Sequence, residues 1–165
     1  MRLFIALRLE KEARRALIRQ QDRMRARGLA GRWTPEENLH LTLAFIGEAP
    51  RPEPALQVLE SVEFEPFSLE LQGMGAFEDV WWAGVAPNPA LEDLARKLRR
   101  GLAEAGIPYD RKRFRPHITL LRGASFTRAD AAVPVWPGAC FRVDRAVLMR
   151  SERGRSGMIY TEIEG

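Results

Sequence analysis

One four-residue pattern occurs twice and uses every histidine in the chain. Residues 40–43 read HLTL and residues 117–120 read HITL, 77 residues apart, and His40 and His117 are the only two histidines among 165 residues. Each copy sits in an apolar, β-prone run. In a strand, residues i and i+2 share a face. His40 therefore stands beside Thr42, and His117 beside Thr119, with the leucines and Ile118 on the opposite face. A single strand histidine is more often a hydrogen-bonded structural residue than a catalyst, and a His-x-Thr triplet recurs by chance. Two copies that consume all the histidine point to a shared task.

The rest of the composition narrows what that task requires. A chain of 165 residues buries a sizeable core as one domain or two small lobes, without disulfides or metal. Cys140 is the one cysteine, so no internal disulfide forms and a reducing cytoplasm fits. Two His and one Cys are too few soft ligands for a structural zinc site, and no metal or other cofactor is expected. There is no apolar run of ~18–20 residues, and Met1-Arg2 leads straight into a strand-like stretch, so neither a membrane span nor a signal peptide is expected. The net charge is +4, and of 26 basic residues only Lys11, Lys97 and Lys112 are lysine, leaving 23 arginines. Arginine suits phosphate and base contacts; a GC-rich genome produces the same excess.

Taken in order, residues 2–8 read as a strand and 10–27 as a helix, with Ala13, Leu17, Gln20 and Met24 at helical spacing and Gly28 placed to end it. Pro35 and Asn38 mark a loop before the first motif strand, which Gly47 and Pro50 end. Residues 53–62 suit a short helix and 67–77 a strand. Residues 80–86 then open a second series. Asn88-Pro89 starts a helix whose buried stripe is Leu91, Leu94, Ala95, Leu98 and Leu102. Gly101 within it costs ~1 kcal/mol relative to alanine, and Gly106 ends it. The second motif follows, then a polar loop over 124–138. Residues 141–151 and 158–163 read as two closing strands in a hairpin around Gly154 and Gly157.

The spacing suggests an internal repeat. Strand, helix, loop and His-x-Thr strand occur twice at nearly constant offset, about 1–77 and 78–165. The predicted architecture is one α+β domain over 1–165. Two pseudo-symmetric lobes, each a mainly antiparallel sheet with a helix on its outer face, would set the motifs face to face across a cleft.

Two histidines in one cleft can serve as acid and base near neutral pH. Neither a GxSxG elbow nor a P-loop accompanies them, so water or a substrate hydroxyl is the nucleophile. Two threonine hydroxyls can bind the non-bridging oxygens of a phosphate. In-line displacement at phosphorus needs base and acid on opposite sides.

The HLTL and HITL pair resembles the signature motifs of the two-histidine phosphoesterase superfamily. The flanking stretches RLFIAL, RWTPEENLHLTLAFIGE, FRPHITLLR and LMRSE resemble the RNA 2′,3′-cyclic phosphodiesterase family, also called 2′-5′ RNA ligase-like. The similarity runs from about residue 2 to 163. It implies metal-independent hydrolysis of a 2′,3′-cyclic phosphate at an RNA end to a 2′-phosphomonoester. By motif position, His40 would be the proton donor to the leaving 3′ oxygen, His117 the proton acceptor from water, and Thr42 and Thr119 the phosphate-binding pair. One departure is visible: where the family often has a Pro-Gly-aromatic turn in the final hairpin, this chain reads RGRSGMIY.

Further candidates for RNA contact are Arg113, Arg115 and Arg122, and Phe114 and Trp33 as stacking surfaces. If its strand continues regularly, Arg122 points away from His117. Trp81 and Trp82 adjoin in a strand, so at most one faces inward. The partner implied is an RNA end carrying a cyclic phosphate, with no membrane and no obligate protein partner. A non-catalytic RNA-end binder, and a related enzyme acting on other cyclic phosphates or on 2′-5′ linkages, are the competing readings.

Overall fold

The computed structural model describes residues 1–125 and 139–165. Nine strands and three α-helices are described: β1 Arg2–Leu7, α1 Lys11–Ala26, β2 Ala30–Trp33, β3 Leu41–Glu48, α2 Glu53–Ser61, β4 Phe67–Phe77, β5 Val80–Val85, α3 Pro89–Glu104, β6 His117–Ser125, β7 Cys140–Val143, β8 Ala146–Gly154 and β9 Gly157–Ile163. They build two antiparallel sheets, ordered β3-β1-β8-β9 and β2-β6-β5-β4-β7. The architecture is α+β, as the sequence pattern predicts. No described helix is long and apolar enough to cross a membrane.

Local signals account for most of the elements. Asn88 caps α3 by accepting from the Leu91 N–H at 3.1 Å, and the five residues of the expected stripe are the buried ones. Gly28 and Gly106 take positive φ just past α1 and α3, where a side chain would strain the backbone. Gly101 has a use that helix propensity hides. A Cβ there would lie 2.8 Å from Val58 Cγ1, so the glycine lets α2 and α3 cross closely.

Three expectations need correction. The stretch 141–151 is not one strand: the chain leaves β7, on the edge of the second sheet, and turns at Asp144-Arg145 into β8, beside β1 in the first. Their partners are distant in sequence, which is why one apolar run serves two sheets. The approach to the first motif contains the short strand β2, which pairs with β6, as well as a 3₁₀ turn at Glu36–Asn38. The loop expected over 124–138 begins later, because Ala124 and Ser125 belong to β6; residues 126–138 lie outside the described ones.

Each sheet draws strands from both sides of residue 77. β1 carries β3 on one side and β8 on the other; β5 carries β6 on one side and β4 on the other. Neither half of the chain holds a complete sheet, and one continuous core runs through both.

The two motif strands share an irregularity. Ala6 pairs with Thr42 and Ile5 with Ala44, leaving Leu43 without a partner on β1; Trp82 pairs with Thr119 and Trp81 with Leu121, leaving Leu120 without one on β5. Both bulges fall three residues after the histidine. A bulge takes a backbone carbonyl out of the ladder, and a buried one needs another partner. A helix side chain reaches each of them, and the Leu120 carbonyl also accepts from the Thr34 N–H at 3.0 Å. Arg99 Nε on α3 donates to the Leu43 carbonyl at 3.1 Å, and Gln21 Nε2 on α1 donates to that of Leu120 at 3.0 Å. Gln21 also donates to the Thr34 carbonyl at 2.9 Å and is almost fully buried. Gln21→Leu keeps the volume and removes both bonds. The Leu120 carbonyl keeps its bond from Thr34, so the variant should lower stability in urea unfolding by about 1–3 kcal/mol through the Thr34 carbonyl that loses this donor; a change under about 0.5 kcal/mol would show that Gln21 is no clamp.

Candidate active site

The alternation expected of the motifs is present. Leu41, Leu43, Ile118 and Leu120 are fully buried, while Thr42 and Thr119 are half-buried and share the outer face with the histidines. His117 opens β6, and His40 immediately precedes β3.

Both imidazoles are oriented the same way. His40 Nδ1 lies 2.7 Å from the Asn38 carbonyl oxygen, and His117 Nδ1 lies 2.7 Å from that of Arg115. A carbonyl only accepts, so each Nδ1 carries the hydrogen and donates it. In the neutral rings Nε2 is then the free lone pair; in the protonated rings it is the free N–H. Each ring thus offers one nitrogen that can take or give a proton. Asn38 is itself held, because its side-chain amide donates to the Met158 carbonyl at 2.8 Å and ties His40 to β9.

The surroundings break the symmetry. Phe4 on β1 sits 4.9 Å from the His40 ring, and Tyr160 on β9 meets it edge-on at 5.1 Å. His117 has one aromatic neighbour of this kind among the described residues, Trp82 on β5 at 6.0 Å. Phe4 and Trp82 each lie on the strand that pairs with the motif strand, at different register positions: Phe4 is opposite Phe45 and Trp82 opposite Thr119. Trp82 lies across Gly75, where a Cβ would fall 2.6 Å from its Cε2 atom. Trp81 is buried on the other side. His40 is half-buried and His117 exposed. Burial accordingly lowers the His40 pKa below the ordinary 6.5; its Asn38 hydrogen bond opposes this, and the charges of Arg122 and His117 add to the lowering.

Two cavities flank the pair. One of about 500 Å³ is lined by Thr42 from the first motif and His117 from the second, with Phe45, Arg113, Phe114 and Arg115. The two motifs therefore share one cleft. The other, about 790 Å³, contains Trp33, Asn38, Arg122 and Tyr160. The five candidate RNA contacts are thus divided: Arg113, Phe114 and Arg115 on the His117 side, Trp33 and Arg122 on the His40 side. The expectation for Arg122 is wrong. The bulge at Leu120 puts Leu120 and Leu121 both in the core and turns Arg122 back to the face of His117 and Thr119. Among the described residues no cluster of three or more His, Cys, Asp or Glu is placed to hold a metal ion.

The 2′-5′ RNA ligase superfamily model matches residues 12–155, nearly the whole chain. The chain belongs to this superfamily. An RNA 2′,3′-cyclic phosphodiesterase of Thermus thermophilus is 37% identical over 186 aligned positions, covering 99% of this chain and 88% of the relative. One of Geobacillus stearothermophilus is 34% identical over 128, covering 72% of this chain but only 41% of the relative. A crystal structure of Escherichia coli LigT complexed with 3′-AMP superposes with a TM-score of 0.81 at 35% identity, covering 99% of this chain and 94% of that one.

For this superfamily member, motif reading alone misses Phe4, Asn38, Tyr160 and Gln21. None of these four lies in the repeated pattern: Asn38 reaches His40 through its backbone carbonyl, Phe4 and Tyr160 through the strands β1 and β9, and Gln21 from a helix face. Burial is the main cause of the lowered His40 pKa, so Tyr160→Ala should raise it toward 6.5 in an NMR pH titration. The same spectra should show Nδ1–H tautomers for both neutral rings. An unchanged or lower His40 pKa in the variant would refute the burial account.

Proposed function

We propose that this protein hydrolyses RNA 2′,3′-cyclic phosphate ends to 2′-phosphomonoesters, with His40 and His117 as acid and base and without a metal. The observation that carries the reading is the paired Nδ1 contact to the carbonyl two residues back, which leaves one proton-transferring nitrogen on each ring. The names of the relatives, and 3′-AMP in the E. coli structure, agree with a substrate carrying a phosphate on the ribose.

His117 is the exposed ring, within reach of solvent water. Its Nε2 takes a proton from water as the oxygen attacks phosphorus. The P–O3′ bond breaks on the opposite side, and His40 Nε2–H delivers its proton to the departing 3′ oxygen. The 2′ ester survives, and the product has a 3′ hydroxyl. Thr42 and Thr119 donate to the non-bridging oxygens, where charge is carried through the transition state.

This division requires a protonated His40, and its pKa is lowered in the free protein. A bound phosphate anion supplies an opposite charge beside the ring and raises it again. Substrate binding thereby draws in the proton that the reaction spends. The chain works as one domain over 1–165, since each motif rests on a sheet completed by the other half. An exposed lone Cys140 is consistent with a reducing compartment such as the cytoplasm.

Activity on a short RNA ending in a 2′,3′-cyclic phosphate should survive EDTA; loss on chelation, restored by a divalent ion, would refute the metal-free mechanism. The high-pH fall of kcat should lie at higher pH than that of kcat/KM, because the bound anion raises the His40 pKa. His40→Ala and His117→Ala should each lose roughly 10²–10⁴-fold. A substrate with sulfur in place of the 3′ oxygen leaves as a thiolate and needs no acid, so it should partly rescue His40→Ala and not His117→Ala. Rescue of His117→Ala alone would reverse the two roles.

A further inference from the structure

The cavity on the His40 side has a wall that the catalytic reading does not use. Arg153 near the end of β8 and Arg155 in the turn to β9 belong to the hairpin stretch RGRSG, and Arg32 comes from β2. All three are exposed, and Arg122 is the fourth arginine of the lining. Among the described residues the lining contains no Asp or Glu. Among the described residues none of these four makes an ion pair, whereas Arg145, just before β8, and Arg150, on β8, are each paired with a glutamate. Four guanidinium groups around one cavity repel one another unless an anion lies among them. Trp33 lines the same cavity and is itself under the Arg25 guanidinium, 4.5 Å from its ring centre.

The geometry points to this cavity as the subsite for the RNA strand on the 5′ side of the cyclic phosphate, with Arg32, Arg153 and Arg155 holding its backbone phosphates. The inference rests on the proposed hydrolysis and deepens it. In-line displacement puts the leaving and entering groups on opposite sides of phosphorus. His40 serves the leaving 3′ oxygen, and two residues in direct contact with it, Asn38 and Tyr160, line the arginine-walled cavity. The ribose that bears that oxygen therefore extends into this cavity, and so does the strand joined to its 5′ position. The other cavity, lined by His117 and Thr42, is left to the entering water. Trp33 offers a stacking surface for a base, and stacking tolerates any base. The enzyme should therefore prefer an RNA strand to a mononucleotide with little regard for sequence.

The test compares kcat/KM for a four-nucleotide RNA ending in a 2′,3′-cyclic phosphate with that for the matching 2′,3′-cyclic mononucleotide, which has no upstream phosphate. Wild type should favour the strand. Arg153→Gln/Arg155→Gln should lower the strand-to-mononucleotide ratio by about tenfold and flatten the salt dependence for the strand by about 1.4 log units per log unit of salt, two phosphate contacts' worth. Arg32→Gln, on a different element, should move the ratio the same way. An unchanged ratio, or an equal fall for both substrates, overturns the subsite. Lys112→Gln/Arg113→Gln removes two charges from the opposite cavity; a fall in the ratio there, and not with the hairpin pair, overturns the strand polarity. If wild type hydrolyses neither substrate, the hydrolytic reading fails and direct binding decides the subsite. A fluorescein-labelled four-nucleotide RNA with a 3′-terminal phosphate should then bind the hairpin double variant about tenfold more weakly than wild type, and equal binding overturns it.

Discussion

Two hydrogen bonds from helix side chains to bulged carbonyls, one buried and one partly buried, brace the site: Gln21 to Leu120 and Arg99 to Leu43. A one-residue slip moves every following side chain to the other face of a sheet. Without the bulges, Phe45 and Arg122 would turn into the core and the second residue of each buried pair, Ala44 or Leu121, would turn into the cleft. With them, each motif strand presents His, Thr and a third cleft residue along one side while its apolar residues stay buried. The geometry of the cleft thus depends on helix–sheet contacts, since α3 supplies one donor and α1 the other.

The same framework explains how near-symmetry produces two unlike histidines. The Nδ1 contacts match at both sites. The difference comes from the outer strands. β9 brings Tyr160 to His40, and among the described residues no aromatic side chain stands in that place beside His117. Burying the His40 imidazole lowers its proton affinity with no change in the motif itself.

The candidate site residues and most elements were legible in the chain. Asn88, Pro89 and the five-residue stripe announced α3, and Gly28 and Gly106 marked the helix ends, because these signals are local. β2 was not legible, since four residues with a glycine have no periodicity of their own and become a strand only against β6. The run from 141 to 151 concealed a change of sheet for a similar reason: alternation reports burial, not the identity of the neighbour. Arg122 was misplaced because strict two-residue alternation was carried through a bulge, and a bulge is visible only in the pairing.

By itself the sequence determined which groups could do chemistry: two histidines and two threonines at matched spacing, on strands whose opposite face had to be buried. Tertiary structure decided which nitrogen each ring exposes, which ring is buried, where Arg122 points and which arginines gather around the His40-side cavity. Those outcomes turn on contacts between residues up to a hundred or more positions apart, such as Asn38 with Met158 and His40 with Tyr160. Local propensity carries no information about such pairs; they form only when the strands of both halves are assembled around one core.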